Sequence, residues 1–140
     1  MDGLTDMTPA QATALWSGLM TLWLVYLGIR VALARRSHKV LLGDGANPTV
    51  LLASRVFGNA AEYTPIAIGA LAVLTLLGMP SYVLHVLGGL LFLGRLIHGF
   101  GLSNQKVTAG RVFGMVLTWT PLIAAGAMLI VHAFVGAPHL

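Results

Sequence analysis

The chain has 140 residues, of which 57% are hydrophobic and only 9% charged. Soluble domains carry about 25% charged residues, so this composition excludes an ordinary soluble globule and points to the lipid bilayer. The net charge of +4 does not indicate nucleic-acid binding, because the basic residues stand singly at the ends of apolar runs instead of clustering on a polar face. The absence of cysteine excludes disulfides, thiolate nucleophiles and cysteine-based metal sites.

The first seven residues contain Asp2 and Asp6 and no basic residue. A signal peptide needs a positive n-region, so the first apolar run is expected to persist as a helix. Thr8-Pro9-Ala10-Gln11 has the form of a capping box with proline at the first helical position. The first predicted span covers about 12–34, with Trp16, Trp23 and Tyr26 among aliphatic residues and Arg30 able to snorkel from its far end. Arg35, Arg36, His38 and Lys39 make a basic juxtamembrane cluster, and residues 43–48 form a turn ending in an Asn47 cap and Pro48. A second span follows at about 49–77, a tight break at 78–81, and a third span at about 82–102. The short break makes helices two and three antiparallel neighbours. After a polar loop at 103–109 carrying Lys106, the fourth span runs from about 110 to 135, with Pro121 expected to kink it. The expected fold is therefore all-α: a single domain, residues 1–140, folded as a bundle of four transmembrane helices.

All eight Lys and Arg residues lie in the loops at 35–48 and 103–109 or in the half-spans adjoining them. With four spans these loops face one compartment. The positive-inside rule then places both termini away from the cytoplasm, in a plasma (inner) membrane.

One stretch breaks the apolar pattern. Arg55, Asn59 and Glu62 recur at i, i+4 and i+7, so a helix puts them on one face. Ionisable groups within a span are costly and face a bundle interior or a wet cavity. Counted from the break at 78–81, Glu62, Arg95 and His98 fall within roughly 5 Å of one depth, with Arg55 about 10 Å nearer the cytoplasm. Two readings stand side by side: a Glu62–Arg95 ion pair that fixes helix packing with Asn59 bonding between helices, or a polar pocket open to the cytoplasmic side. Pro65, just below Glu62, would loosen the local backbone. His85, His132 and His139 read as interface or partner-bonded residues, and Trp16, Trp23 and Trp119 as packing or interface aromatics. Gly88, Gly89, Gly94, Gly110 and Gly114 permit close helix contact in lipid, although glycine is also simply common there. No metal-ligand spacing is present.

The pattern Arg55-x-x-x-Asn59-x-x-Glu62-Tyr63-x-Pro65 on a second membrane helix resembles the membrane-associated proteins in eicosanoid and glutathione metabolism, the MAPEG superfamily. Ala34-Arg35-Arg36 after span one and Gly94-Arg95 in span three add to the likeness, and the wording around Asn59 and His98 is similar to the uncharacterised bacterial branch. The resemblance implies a homotrimer with glutathione, as cosubstrate, bound between subunits near the cytoplasmic face. It also implies that Arg55 meets a carboxylate, Glu62 the γ-glutamyl ammonium, and Asn59 and Tyr63 add hydrogen bonds. Arg35 or Arg36 would help from the first loop, with Arg95 and His98 nearby. Arg111 is the candidate for the thiolate-activating cation at the entry to helix four, and Lys106 is the other cation available there. His98, Phe100 and Leu102 stand where the animal synthases carry tyrosines.

The expected function is a membrane glutathione transferase or peroxidase acting on lipophilic electrophiles at the cytoplasmic side. The alternative is a non-catalytic membrane protein that binds a lipid or small amphiphile in the same pocket. A four-span proton-coupled exporter fits less well, since such exporters carry their glutamate in span one.

Overall fold

A computed structural model of the chain describes residues 6–101 and 108–135. It contains four helices, α1 (Pro9–Ser37), α2 (Pro48–Leu76), α3 (Ser81–Gly101) and α4 (Ala109–Val135). All four are long and apolar enough to cross a membrane. Their boundaries follow local chemistry. Thr8 caps α1 in a full capping box with Gln11, and the Asn47 side chain accepts from the Thr49 and Val50 amides just after Pro48, so each cap satisfies N–H groups that the first turn leaves unpaired. Lys106 and His139 lie outside the described residues.

Both α1 and α2 end in the same way. At α2, the Met79 amide reaches Leu74 O and the Gly78 amide reaches Thr75 O, with Gly78 at φ +76°. This is a Schellman motif with glycine in its left-handed position. At α1, Val40 N bonds Arg35 O and Lys39 N bonds Arg36 O, but the left-handed position, φ +56°, is held by Lys39. A side chain there costs about 1–2 kcal/mol. Lys39→Gly is therefore expected to raise the thermal midpoint in detergent by about 2–4 °C; an unchanged or lowered midpoint would show that the lysine pays no conformational cost.

The closest packing is between α3 and α4 and between α1 and α2; the hairpin partners α2 and α3 pack less tightly, although their link is the shortest. Small residues explain the α3–α4 contact. A Cβ on Gly94 would lie 3.0 Å from Gly114 O, one on Gly101 2.5 Å from Arg111 N, and one on Gly114 2.5 Å from His98 N. The two backbones touch where side chains would otherwise hold them apart. Gly88 admits the Trp16 ring, which takes up the space a Cβ there would need. Gly88, Gly94 and Gly114 thus have definite packing roles that the sequence left open.

The core has two parts. Met20, Leu71, Leu74, Leu84, Leu87 and Leu91 fill the half of the bundle nearer the α2–α3 turn, and Trp23, Leu27, Val56 and Ala60 fill the other. Polar side chains near that turn pair with one another: Trp16 Nε1 donates to His85 Nδ1 at 3.1 Å, and Thr13 and Thr75 share a 2.6 Å bond. His132 Nδ1 donates to Met128 O at 2.8 Å, so His85 and His132 are partner-bonded as expected. Outward, Leu22, Ile66, Ile123 and Ile130 are exposed, as they must be where the solvent is hydrocarbon. Helices α2 and α4 continue through Pro65 and Pro121.

Candidate functional site: a cationic recess between α2 and α4

At the end of the bundle that carries the α1–α2 loop lies a cavity of about 660 Å³. Helix α2 supplies one wall with Leu51, Ser54, Arg55, Gly58, Asn59, Glu62 and Tyr63, spaced i, i+3, i+4, i+7, i+8, i+11, i+12, a continuous helical face. Helix α4 supplies the other with Arg111, Met115 and Trp119, a single stripe at i, i+4, i+8. Arg35 closes the cavity from α1, Gly43 and Asp44 from the loop, and His98 from α3. The tight α3–α4 contact matters here, because Gly114 sets His98 against the first turns of α4.

Of the residues singled out in the sequence, Arg35, Arg55, Asn59, Glu62, Tyr63, His98 and Arg111 all line this one cavity. Arg36 does not; it is exposed on another face of α1. Neighbouring residues on a helix are about 100° apart, so only one of the Arg35-Arg36 pair can turn inward. Arg95 does not line it either.

Arg95 sits behind the wall, 3% exposed. Its Nη1 donates to Asn59 Oδ1 at 2.8 Å. Its Nε and Nη2 donate to Thr118 Oγ1 at 2.9 and 2.5 Å, and Nη2 also reaches Met115 Sδ at 3.3 Å. The guanidinium lies 5.1 Å from the centre of the Tyr63 ring, a cation–π distance. The Glu62–Arg95 pair considered from the sequence is thus replaced by a neutral cage from α2 and α4. Arg95 reaches Asn59, one turn from Glu62, and Glu62 is left exposed beside the cavity.

Two further bonds fix the polarity of the wall. Trp119 Nε1 donates to the Tyr63 hydroxyl at 3.1 Å, so Trp119, read from the sequence as a packing or interface aromatic, is also a cavity residue. His98 Nδ1 lies 3.0 Å from Arg111 O. A carbonyl only accepts, so Nδ1 carries the hydrogen and Nε2 of the neutral ring offers a lone pair. Among the lining residues, Ser54 Oγ and Arg35 Nε are buried with no hydrogen-bond partner among the described residues.

Sequence reasoning missed Ser54, Met115, Thr118 and Trp119. Steps of three and four residues from Arg55 reach Leu51 and Gly58, and a step of four back from Gly58 reaches Ser54. Nothing in an apolar helix, however, distinguishes Met115 and Trp119 from lipid-facing neighbours.

Fold and cavity together define a four-span membrane protein with a cationic recess between its second and fourth helices. The chain belongs to the MAPEG family, whose model matches residues 13–131. It is 33% identical over 111 residues to the inner membrane protein YecN of Escherichia coli K12, an alignment covering 79% of this chain and 84% of that relative. The protein of the same name from Escherichia coli O6:H1 matches to the same extent. No solved structure matches the chain at a significant level. The family read from the helix-two motif is the one that matches, through a bacterial relative.

Proposed function

We propose that this protein binds glutathione in the recess and presents its thiol to lipophilic electrophiles, as a membrane transferase or peroxidase. The observation that carries this reading is charge: three guanidinium groups, Arg35, Arg55 and Arg111, and the carboxylates of Glu62 and Asp44 surround one cavity. Glutathione has two carboxylates and one ammonium, the complementary set. The volume lies within the range of about 300–1,000 Å³ usual for small-molecule sites.

The residues divide the work by chemistry. Arg55 and Arg35 pair with carboxylates, which guanidinium geometry suits. Glu62 accepts from the ammonium. Arg111 is the cation available to favour the anionic form of a thiol, since a nearby positive charge raises the thiolate fraction. When bound, glutathione supplies the sulfur nucleophile that a chain without cysteine lacks. Leu51, Met115 and Trp119 give the same cavity an apolar wall, suited to the hydrophobic part of a second substrate arriving from the bilayer.

The reading includes a homotrimer, with the recess on the cytoplasmic side and both termini outside. In support, Arg55 and Glu62 are exposed on the single subunit, although Glu62 lies midway along α2. A charge at that depth is costly in lipid, and a second copy against α2 would cover it.

The test is the thermal midpoint of the purified protein in detergent. Glutathione at roughly ten times its dissociation constant is expected to raise the midpoint by about 3–5 °C, and the protein is expected to conjugate an electrophile such as a chlorodinitrobenzene. A midpoint raised by a lipid extract and not by glutathione would replace this reading with the non-catalytic lipid binder.

A further inference from the structure

Arg95 is charged, buried and held without a carboxylate among the described residues, in a helix-lined interior where that is expensive. Its contacts show what it does. A guanidinium has donors and no acceptor, so the Asn59 carboxamide can meet it only with its oxygen, as the 2.8 Å contact records. The amide cannot turn over without placing its NH₂ against the cation. That leaves Asn59 Nδ2 as the end free for the cavity, and it has no hydrogen bond to the described residues and is not among the buried orphan atoms. The same logic holds one turn further on. The Trp119 indole is donor-only, so the Tyr63 oxygen accepts from it, and the Tyr63 hydrogen remains to be donated. The Arg95 guanidinium faces the Tyr63 ring from behind. Thr118 anchors the arrangement: its Oγ1 accepts from Arg95 and donates to Gly114 O at 2.8 Å.

We propose that Arg95 is a positioning residue that sets the polarity of the recess. By holding the Asn59 oxygen away from the cavity it makes Asn59 an obligate donor, so the ligand must place a carbonyl or carboxylate oxygen at this level. At this depth the carboxylate left for an ammonium is Glu62, the other cavity carboxylate, Asp44, lying in the loop between α1 and α2. Arg95 touches no ligand; it dictates which way round a ligand bearing both charges can lie. An asparagine free to flip would accept either end. This rests on the reading of the recess as a glutathione site, and deepens it by assigning the orientation.

Two variants test it, each with a readout in the absence and presence of glutathione. Asn59→Asp keeps an oxygen facing the guanidinium and replaces the inward donor by an acceptor. Asn59→Leu removes both. Without ligand, Asn59→Asp is expected to keep or raise the thermal midpoint, whereas Asn59→Leu lowers it by about 5 °C or more. With glutathione, Asn59→Asp is expected to lose at least about tenfold in affinity despite its intact fold. If Asn59→Asp falls as far as Asn59→Leu without ligand, Arg95 does not hold the oxygen and the proposal is overturned. It is overturned equally if Asn59→Asp folds normally and binds glutathione as tightly as the parent. If the parent itself shows no affinity for glutathione, the proposed function fails separately, and the two ligand-free midpoints decide alone whether Arg95 orients the amide.

Discussion

Gly114→Val is expected to abolish recovery of folded protein, and Gly114→Ala to destabilise it by about 2–3 kcal/mol. The first Cβ at this position would stand 2.5 Å from His98 N and 2.7 Å from its Cα. Those atoms are backbone and cannot rotate aside, so α3 and α4 must separate along their length. Separation would also stretch the Arg95–Thr118 bonds and the His98–Arg111 bond, which couple the same two helices. Gly126 on the same helix is the control, because a Cβ there meets nothing within 4 Å; Gly126→Ala is expected to be neutral or slightly stabilising. Thermal midpoints in one detergent measure all three. Equal shifts for Gly114→Ala and Gly126→Ala would mean that the α3–α4 contact is looser than the structure has it.

The second large effect concerns ligand binding. Glu62→Gln keeps the shape of the side chain and removes its charge, and is expected to weaken glutathione binding by roughly 30-fold, corresponding to about 2 kcal/mol for a lost charge-assisted bond. Arg55→Ala is expected to cost at least as much, since it removes a bidentate carboxylate partner. Neither should lower the ligand-free midpoint greatly, because both side chains are exposed in the subunit and stand at the cavity rather than in the core. Arg36→Ala, one residue from a lining arginine yet outside the cavity, is expected to bind as the parent does. Isothermal titration separates these cases. Retained affinity in Glu62→Gln would remove the ammonium subsite and with it the case for a zwitterionic ligand.

What could be read in advance depended on whether a residue announces itself against its background. In a chain with so few charges, Arg55, Glu62, Arg95 and Arg111 stand out, and helical spacing alone collects Arg55, Asn59 and Glu62 on one face. The caps at Thr8 and Asn47 were legible for the same reason, since their partners lie within three residues. Trp119 and Met115 were not legible, because an aromatic or a thioether in an apolar helix looks the same whether it faces lipid or a cavity. Arg95 was legible as costly but not in its role. Helical rise counted from the turn gave its depth beside Glu62, while its rotation toward Asn59 and Thr118 depended on how α3 packs against both α2 and α4.

The sequence by itself determined the four spans, the caps of the first two and the family. These follow from apolar run length, from hydrogen-bond partners a few residues apart and from a motif contained within one helix. Only the tertiary structure decided that α3 packs most closely on α4, that Arg35 and not Arg36 enters the recess, and that Arg95 grips an amide instead of a carboxylate. Each of those outcomes depends on how far helices distant in sequence rotate and approach. That is fixed by glycines whose value lies in the backbone they admit, and no local pattern records it.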